Sequence, residues 1–158
     1  MLEAHHKMKL FYAVRPWENE PDHAEWVQEP SGYKCRIVRN EHTGTLCGYV
    51  GIPKEHRFWG IGYDPDSELS DISDNVHGGI TYSQQGDDGW WYFGFDTNHY
   101  DDFAPKMVET LIAVRGGSDS RFYDCMKYKT WEFVEDEIHW LGKRLWEYNR
   151  YGGEVKDA

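Results

Sequence analysis

Apolar and polar positions alternate along residues 34–39, which read Lys-Cys-Arg-Ile-Val-Arg. A period of two is typical of a strand with one buried face. A second strand-like run, residues 46–52, follows a turn at 40–45 that contains Gly44. The two runs therefore predict a β-hairpin, and Pro53 ends its second strand because proline cannot donate to a ladder.

A second hairpin is predicted from residues 79–83 and 90–95, which flank a turn rich in glycine and aspartate. Its pairing is expected to place Thr81 near Phe93. Residues 90–95 are aromatic at alternate positions on both faces, so this strand should be central and covered on both sides. Gly94 interrupts it, which indicates a bulge or a close approach by another group.

Three other segments have weaker patterns. Residues 8–14 predict a short strand that ends before Pro16. Residues 15–32 are rich in proline, acids and tryptophan and predict an irregular segment with one helical turn near 22–27. Residues 53–75 form a long connection, and such loops are usually functional or locally packed.

Near the C-terminus the apolar spacing changes to three and four, as on one face of an amphipathic helix. The positions are Trp131, Val134, Ile138, Leu141, Leu145 and Tyr148. Thr130 can cap the start of this helix and Gly152 its end. Acidic residues fill its first turns and basic residues its last turns, which suits the helix dipole.

A shorter helix is predicted from Pro105, with Met107, Leu111 and Ile112 facing inward. The elements together predict an α+β fold, an antiparallel β-sheet with the long C-terminal helix and the shorter helix packed on one face. A chain of 158 residues corresponds to one domain, residues 1–158.

Composition narrows the class of protein. The net charge of −11 disfavours nucleic acid polymers and anionic membranes as partners, but not a small anionic ligand held by local donors. No window approaches the roughly 20 apolar residues of a membrane span. The three cysteines, none in a CxxC pair, and an N-terminus without an apolar signal core predict a reducing cytoplasm. Aromatic residues make up 16% of the chain, and this surplus favours a homo-oligomer.

The first segment with candidate chemistry is 77–83, where His77 precedes Gly78 and Gly79 at the mouth of a strand. Glycines allow a ligand to approach backbone N–H groups, and the imidazole can donate or accept a proton near neutral pH. The alternative is that both glycines only form a tight turn and that the histidine is a surface residue.

The second segment carries Asp96, His99 and Asp102 at spacings of three. A carboxylate beside an imidazole can fix its tautomer and raise its basicity. The alternative is that Asp96 caps a polar turn. Hairpin pairing should bring this segment to the same end of the sheet as His77. Two histidines with aspartates can bind zinc, but the spacing matches no metal motif, so neither a metal nor a cofactor is predicted.

The third segment runs from Cys47 to Gly60 and contains Trp59, which could stack on a planar ligand. The alternative is that Trp59 covers an edge of the core. Nucleophilic catalysis has little support, because no serine lies in a nucleophile elbow and no cysteine lies beside a histidine.

The runs VHGGITYS and GWWYFGFDTNHYDD, with the later EFVEDEIHWLGKRL, resemble a widespread family of short proteins of tailed phages and their bacterial hosts. The likeness covers about residues 34–148, and HGGxTY and WxFGFDxxHxxD are its most specific motifs. They fall on His77, Gly78, Gly79, Thr81, Tyr82, Trp91, Gly94, Phe95, Asp96, His99 and Asp102. Many relatives have cysteine where this chain has Thr97, which argues against a catalytic or metal-binding role there. The family brings no established activity with it.

The resemblance implies a phage-encoded protein that acts in the host cytoplasm, and a small acidic protein fits a counter-defence role. The leading hypothesis is a binder that sequesters a small nucleotide second messenger, such as a cyclic oligonucleotide. Aromatic rings would stack on its bases and the amides of Gly78 and Gly79 would hold its phosphates. The expected ligand-binding residues are His77, Gly78, Gly79, Thr81, Tyr82, Trp59, Trp91, Asp96, His99 and Arg57.

Two alternatives remain open. In the first, the protein is a phosphodiesterase-type hydrolase in which His77 and His99 are acid and base, oriented by Asp96 and Asp102. In the second, it is an inhibitor that binds a host protein through aromatic patches and acidic rims. The leading hypothesis is binding without turnover, in which the protein is not an enzyme. Only the first alternative would make it an enzyme.

Overall fold

The computed structural model describes residues 15–64, 67–115 and 126–152. Five strands form one antiparallel sheet in the order β1-β2-β3-β5-β4. The strands are β1 His23–Gln28, β2 Tyr33–Arg39, β3 Leu46–Ile52, β4 Tyr82–Gln85 and β5 Trp91–Asp96. The helices are α1 Ser70–Ser73, α2 Pro105–Arg115 and α3 Trp131–Tyr151, and a 3-10 turn spans Pro16–Glu18. The predicted α+β architecture, a sheet with a long C-terminal helix and a shorter one, is confirmed.

The predicted first hairpin is the pair β2–β3. Gly44 adopts a φ of +77° in its turn, and the backbone N–H of Gly44 donates to the Asn40 carbonyl at 2.8 Å. Cys35 and Ile37 are buried on one face of β2, as the alternation predicted. The thiols of Cys35 and Cys47 are free, and burial raises the pKa of the Cys35 thiol to about 12. Cys125 and the strand predicted at 8–14 lie outside the described residues.

The prediction of an irregular segment with a helical turn near 22–27 is wrong, because β1 occupies this stretch. Along β1 the residues Ala24, Trp26 and Gln28 are half-buried and alternate with exposed ones. The backbone of β1 pairs with β2 along its whole length. A period of two therefore holds here as well, although polar residues and nearby prolines conceal it.

The second hairpin is present, but its first strand begins later than predicted. Gly79 has a φ of +80°, outside the strand region, and β4 begins at Tyr82. In the observed register Ser83, and not Thr81, lies opposite Phe93. The backbone N–H of Thr81 donates to the Gly94 carbonyl at 2.9 Å, just beyond the end of the strand.

Strand β5 lies between β3 and β4, as predicted for a central strand. Helix α3 covers one face of the sheet. Within the sheet, the glycines of β3 and β5 lie under aromatic rings of the neighbouring strands. A Cβ at Gly94 would lie 2.5 Å from the ring of Tyr49, and a Cβ at Gly48 would lie 2.6 Å from the ring of Phe95. The close approach predicted at Gly94 is therefore made by the Tyr49 ring.

Helix α3 has the predicted caps. The Thr130 hydroxyl accepts the N–H of Phe133 at 3.2 Å, and Gly152 ends the helix with a φ of +66°. The helix packs on β3 and β2. Its buried apolar residues are Val134, Ile138, Leu141, Leu145 and Tyr148.

Helix α2 begins at Pro105 as predicted, but one of its inward residues was wrongly assigned. The side chain of Met107 is exposed, and Val108 is buried in its place. Val108 joins Phe103 and Tyr128 in a second apolar cluster, which determines the buried face of this helix. Within the residues that the structure describes, no helix combines the length and apolarity needed to cross a membrane.

Candidate active site

Three segments that are distant in sequence meet at one end of the sheet. His77 lies in the turn between α1 and β4, and His99 and Asp102 lie in the loop that follows β5. Lys129 lies just before α3, where the backbone of Lys127 pairs with Asp101 and Phe103. The structure thus brings together two histidines and one aspartate that the sequence had placed in two separate motifs.

The carboxylate of Asp102 is the centre of this cluster, and its side chain is 0% exposed. Its Oδ2 lies 2.9 Å from Nε2 of His77 and 3.0 Å from Nδ1 of His99. The same oxygen accepts the backbone N–H of His99 at 3.0 Å, and Oδ1 lies 3.2 Å from Nζ of Lys129. One buried carboxylate therefore holds two imidazoles and one ammonium group.

Two opposing effects determine the charge of Asp102. Burial alone raises the pKa of a carboxyl group, because it penalises the charged form. Hydrogen bonds from the His77 side chain and from the backbone and ring of His99 outweigh this penalty and lower the pKa of Asp102. The carboxyl group is therefore ionised at neutral pH, and Lys129 supplies the compensating positive charge.

An ionised carboxylate can only accept hydrogen bonds, so its contacts determine the tautomers of both rings. His77 carries a hydrogen on Nε2 and His99 carries one on Nδ1. The other ring nitrogens are Nδ1 of His77 and Nε2 of His99. The side chains are 17% and 28% exposed, and the ring centroids lie 5.3 Å apart. Both rings are thus fixed, close together and partly open to solvent.

The two glycines of the HGG motif form the turn beside the histidines. The backbone N–H of Gly79 donates to the Val76 carbonyl at 2.8 Å, so it does not point to an incoming phosphate. Gly78 has a φ of +68°, and the space of its absent side chain is filled by the ring of His99. The Gly79 amide is therefore already used within the turn, and the expected phosphate contact at the Gly78 amide stays a prediction.

Asp96 and Thr81 lie at the edge of the cluster. Oδ1 of Asp96 accepts the N–H of Asn98 at 3.0 Å and lies 3.5 Å from Nε2 of His99. The Thr81 hydroxyl is 3.5 Å from Oδ2 of Asp96. The Asp96 turn expected from the sequence is present, and the carboxylate also faces the outer nitrogen of His99.

Four predicted ligand-binding residues lie elsewhere. The rings of Trp59 and Trp91 pack at 5.5 Å, and each indole N–H donates to a loop carbonyl. Trp91 and Asp96 are at opposite ends of β5, about 17 Å apart at roughly 3.3 Å per residue. Arg57 bonds to Glu68 and to the end of α3, and Tyr82 packs on Tyr49. The predicted set is therefore not one continuous pocket.

Three residues of the cluster were missed by the sequence analysis. Besides Lys129, the ring of Phe133 packs edge-on against His77 at 5.3 Å, and Oε1 of Glu137 accepts the backbone N–H of His77 at 3.1 Å. Burial raises the pKa of Glu137, although the bond from His77 acts in the opposite direction. Phe133 and Glu137 are four positions apart in α3, so they lie on one side of the helix, and Lys129 lies just before its cap, Thr130. That spacing was the available signal.

The same side chains must be considered as metal ligands. One donor atom each from His77, His99 and Asp102 lies within 4.8 Å of the others. The ammonium of Lys129 already contacts the carboxylate, and a like charge beside it opposes a second cation. The donors also satisfy one another as hydrogen-bond partners. The arrangement is therefore better suited to proton transfer than to metal binding.

Comparison of the chain with protein-family models, with curated proteins and with solved structures finds no match. The resemblance to short phage proteins therefore stays a prediction, and the function has to be inferred from the residues of the site.

Proposed function

We propose that this protein is a small hydrolase that works by acid–base catalysis at His77 and His99. The observation that carries the proposal is the buried Asp102 carboxylate, which hydrogen-bonds both imidazoles at 2.9–3.0 Å. A buried carboxylate that fixes the tautomer of a histidine and stabilises its protonated form is a recurrent device of acid–base sites. Here one carboxylate serves two histidines.

Each histidine has a distinct role in the proposed reaction. His99, deprotonated at Nε2, removes a proton from a water molecule while the water oxygen bonds to the substrate. His77, protonated at Nδ1, gives its proton to the leaving oxygen as the bond to that oxygen breaks. The two rings exchange protonation states in the process, and solvent restores them. Asp102 remains ionised throughout, and Lys129 balances its charge.

The substrate class that we propose is a phosphodiester in a small nucleotide. A base at the attacking water and an acid at the leaving oxygen both accelerate the hydrolysis of a P–O bond. The net charge of −11 repels a nucleic acid polymer, which carries many phosphates, more strongly than a short ligand with two or three. The acidic Asp96 at the rim also disfavours a long polyanion.

The test is turnover of a panel of linear and cyclic di- and trinucleotides, with products detected by mass spectrometry. Hydrolysis adds the mass of one water to the substrate. We expect His99→Gln to reduce kcat by about 10²–10⁴-fold, the usual contribution of a general base. His42→Gln is the matched control, because His42 is an exposed histidine on the β2–β3 turn. It should retain full activity.

Two results would overturn the proposal. Recovery of every nucleotide intact after long incubation would exclude the hydrolase, and intact ligand bound to the protein would favour sequestration. Equal loss of activity in His99→Gln and His42→Gln would show that the cluster is not the reaction centre. A stable host protein partner without any bound nucleotide would favour the inhibitor hypothesis.

A further inference from the structure

The backbone N–H of His77 has its acceptor outside its own turn. The N–H groups on either side of it bond locally, that of Val76 to the Ser73 carbonyl at 3.1 Å and that of Gly79 to the Val76 carbonyl at 2.8 Å. The N–H of His77 instead donates to Oε1 of Glu137, 60 residues further along the chain in helix α3, at 3.1 Å. This bond ties the turn that carries His77 to the helix that covers the sheet.

The two histidines of the cluster are held in the same manner, but by different carboxylates. Asp102 accepts both the backbone N–H and the ring Nδ1–H of His99, each at 3.0 Å. At His77 the same carboxylate accepts only the ring, through Nε2 at 2.9 Å. One hydrogen bond from the ring leaves His77 free to swing about that contact. Glu137 holds the backbone of His77, which Asp102 does not contact, and so removes this freedom.

Glu137 lies where burial disfavours a carboxylate. Burial raises the pKa of its carboxyl group, because it penalises the charged form, and the bond from His77 opposes this effect. Within residues 15–64, 67–115 and 126–152, the His77 amide is the only hydrogen-bond donor to this carboxylate. One helical turn earlier, Phe133 contacts the same histidine with an apolar ring at 5.3 Å and has no such penalty. The contact with His77 is therefore what the carboxylate of Glu137 contributes at this position.

We propose that Glu137 is a positioning residue of the acid–base site, and that it fixes the backbone of His77 so that Nδ1 of the ring faces the leaving oxygen. This inference rests on the proposed function, in which His77 gives its proton to that oxygen. Asp102 holds the opposite nitrogen of the ring, and the edge-on contact with Phe133 limits its tilt. The role of Glu137 requires an oxygen that accepts the N–H, and it does not require a negative charge.

The kinetic experiment compares two substrates of the full chain, a linear dinucleotide and the p-nitrophenyl ester of thymidine 5′-monophosphate. The alkoxide of the dinucleotide needs a proton to leave, whereas p-nitrophenolate is a weak base and leaves without one. We expect Glu137→Leu to lower kcat for the dinucleotide by about 10²-fold, the cost of a misplacement of about 1 Å, with KM little changed. Hydrolysis of the p-nitrophenyl ester should be much less affected.

Two further variants separate position from charge. Glu137→Gln should retain most of the activity on the dinucleotide, because its side-chain carbonyl still accepts the N–H of His77. Glu132→Leu is the matched control, since Glu132 is an exposed glutamate of the same helix, and it should behave as the wild type. Glu137→Ala, which also removes the acceptor, takes the place of Glu137→Leu if that protein does not fold.

NMR spectra of the histidine side chains give a second readout that needs no substrate. Proton–nitrogen correlations show which ring nitrogen carries hydrogen, and the signals of His77 are those that His77→Gln lacks. We expect the Nε2–H of His77 to be protected from exchange with solvent in the wild type and in Glu137→Gln. In Glu137→Leu it should exchange rapidly, because the ring is no longer held against Asp102.

The proposal is overturned if the His77 signals of folded Glu137→Leu match those of the wild type. It is also overturned if Glu137→Gln is as impaired as Glu137→Leu, which would assign the effect to charge, or if both substrates lose the same activity. If the wild type hydrolyses neither substrate, the proposed function fails. The NMR spectra then still decide whether Glu137 positions His77.

Discussion

The ring of His99 lies directly against the Cα of Gly78. A Cβ at Gly78 would be 2.1 Å from both Cε1 and Nε2 of that ring, closer than any real contact allows. Gly78 also has a φ of +68°, in the region that favours glycine. The glycine therefore determines where the imidazole can be, and the HGG and FGFDxxH motifs depend on each other.

This relationship predicts that Gly78→Ala displaces His99 from Asp102 and abolishes turnover. Left-handed backbone alone costs about 1–2 kcal/mol for a residue with a side chain. Gly89→Ala is the matched control, since Gly89 has a φ of +83° and nothing within 4 Å of its Cβ position. Urea denaturation should show a lower free energy of unfolding in both variants, with the larger decrease in Gly78→Ala. Kinetics should show a loss of activity in Gly78→Ala alone. Full activity of Gly78→Ala would contradict the arrangement.

Asp102→Asn should damage both stability and activity. The variant leaves the ammonium of Lys129 without its negative partner and replaces one of the two acceptor oxygens by an NH2 donor, so Lys129 and the two imidazoles no longer all have an acceptor. Removing one partner of a buried ion pair costs about 3–5 kcal/mol, measured here as the free energy of unfolding in urea. Asp101→Asn, next in the chain but exposed, should stay within about 0.5 kcal/mol of the wild type, as surface substitutions do. Comparable losses in both variants would refute the central role of Asp102.

His56 should make the fold sensitive to mild acid. Its Nδ1 accepts the Phe58 N–H at 3.0 Å and its Nε2 contacts the Leu145 carbonyl at 2.8 Å, so the buried ring is neutral. Burial lowers the pKa of His56 below its ordinary value of 6.5. As the pH falls below 6.5, the unfolded chain takes up a proton that the folded chain does not. This contribution to stability is complete above that pH and decreases below it.

The measurement is the free energy of unfolding between pH 7.5 and pH 5, with the variant His56→Gln for comparison. Glutamine can still donate and accept a hydrogen bond but does not titrate, so its slope against pH should be smaller. The difference should not exceed about 1.4 kcal/mol per pH unit, the limit for one proton. Identical slopes would show that His56 does not distinguish the folded from the unfolded state.

The glycines of β3 should tolerate no side chain. A Cβ at Gly48 would lie 2.6 Å from Phe95 and 2.9 Å from Ile138, between the sheet and α3. Gly48→Ala should cost about 1–3 kcal/mol through overpacking, measured by urea denaturation. Gly62→Ala should be nearly neutral, since its nearest neighbour would be 3.9 Å away and it has no positive φ. A stable Gly48→Ala protein would mean that α3 can move away from the sheet.

Local patterns in the sequence were sufficient to predict much of the fold. The alternation in β2 and the spacing of three and four in α3 report which face of each element is buried, because side chains repeat with the period of the backbone. Thr130 and Gly152 act within one helical turn, so their capping roles can be read from neighbouring residues. The expected pairing of the second hairpin likewise placed His77 at the same end of the sheet as the segment that contains Asp96, His99 and Asp102.

Only the tertiary structure decided the remaining features, since they depend on groups that are distant in the chain. Strand β1 forms by pairing with β2 along its whole length, and Lys129 reaches Asp102 because the backbone of Lys127 pairs with Asp101 and Phe103. Trp59 and Trp91 are separated from the histidines by the length of β5, a distance that residue types do not reveal. A glycine in the sequence indicates that a side chain at its position would meet another group, but only the fold shows which group that is. At Gly78 the group is the His99 ring.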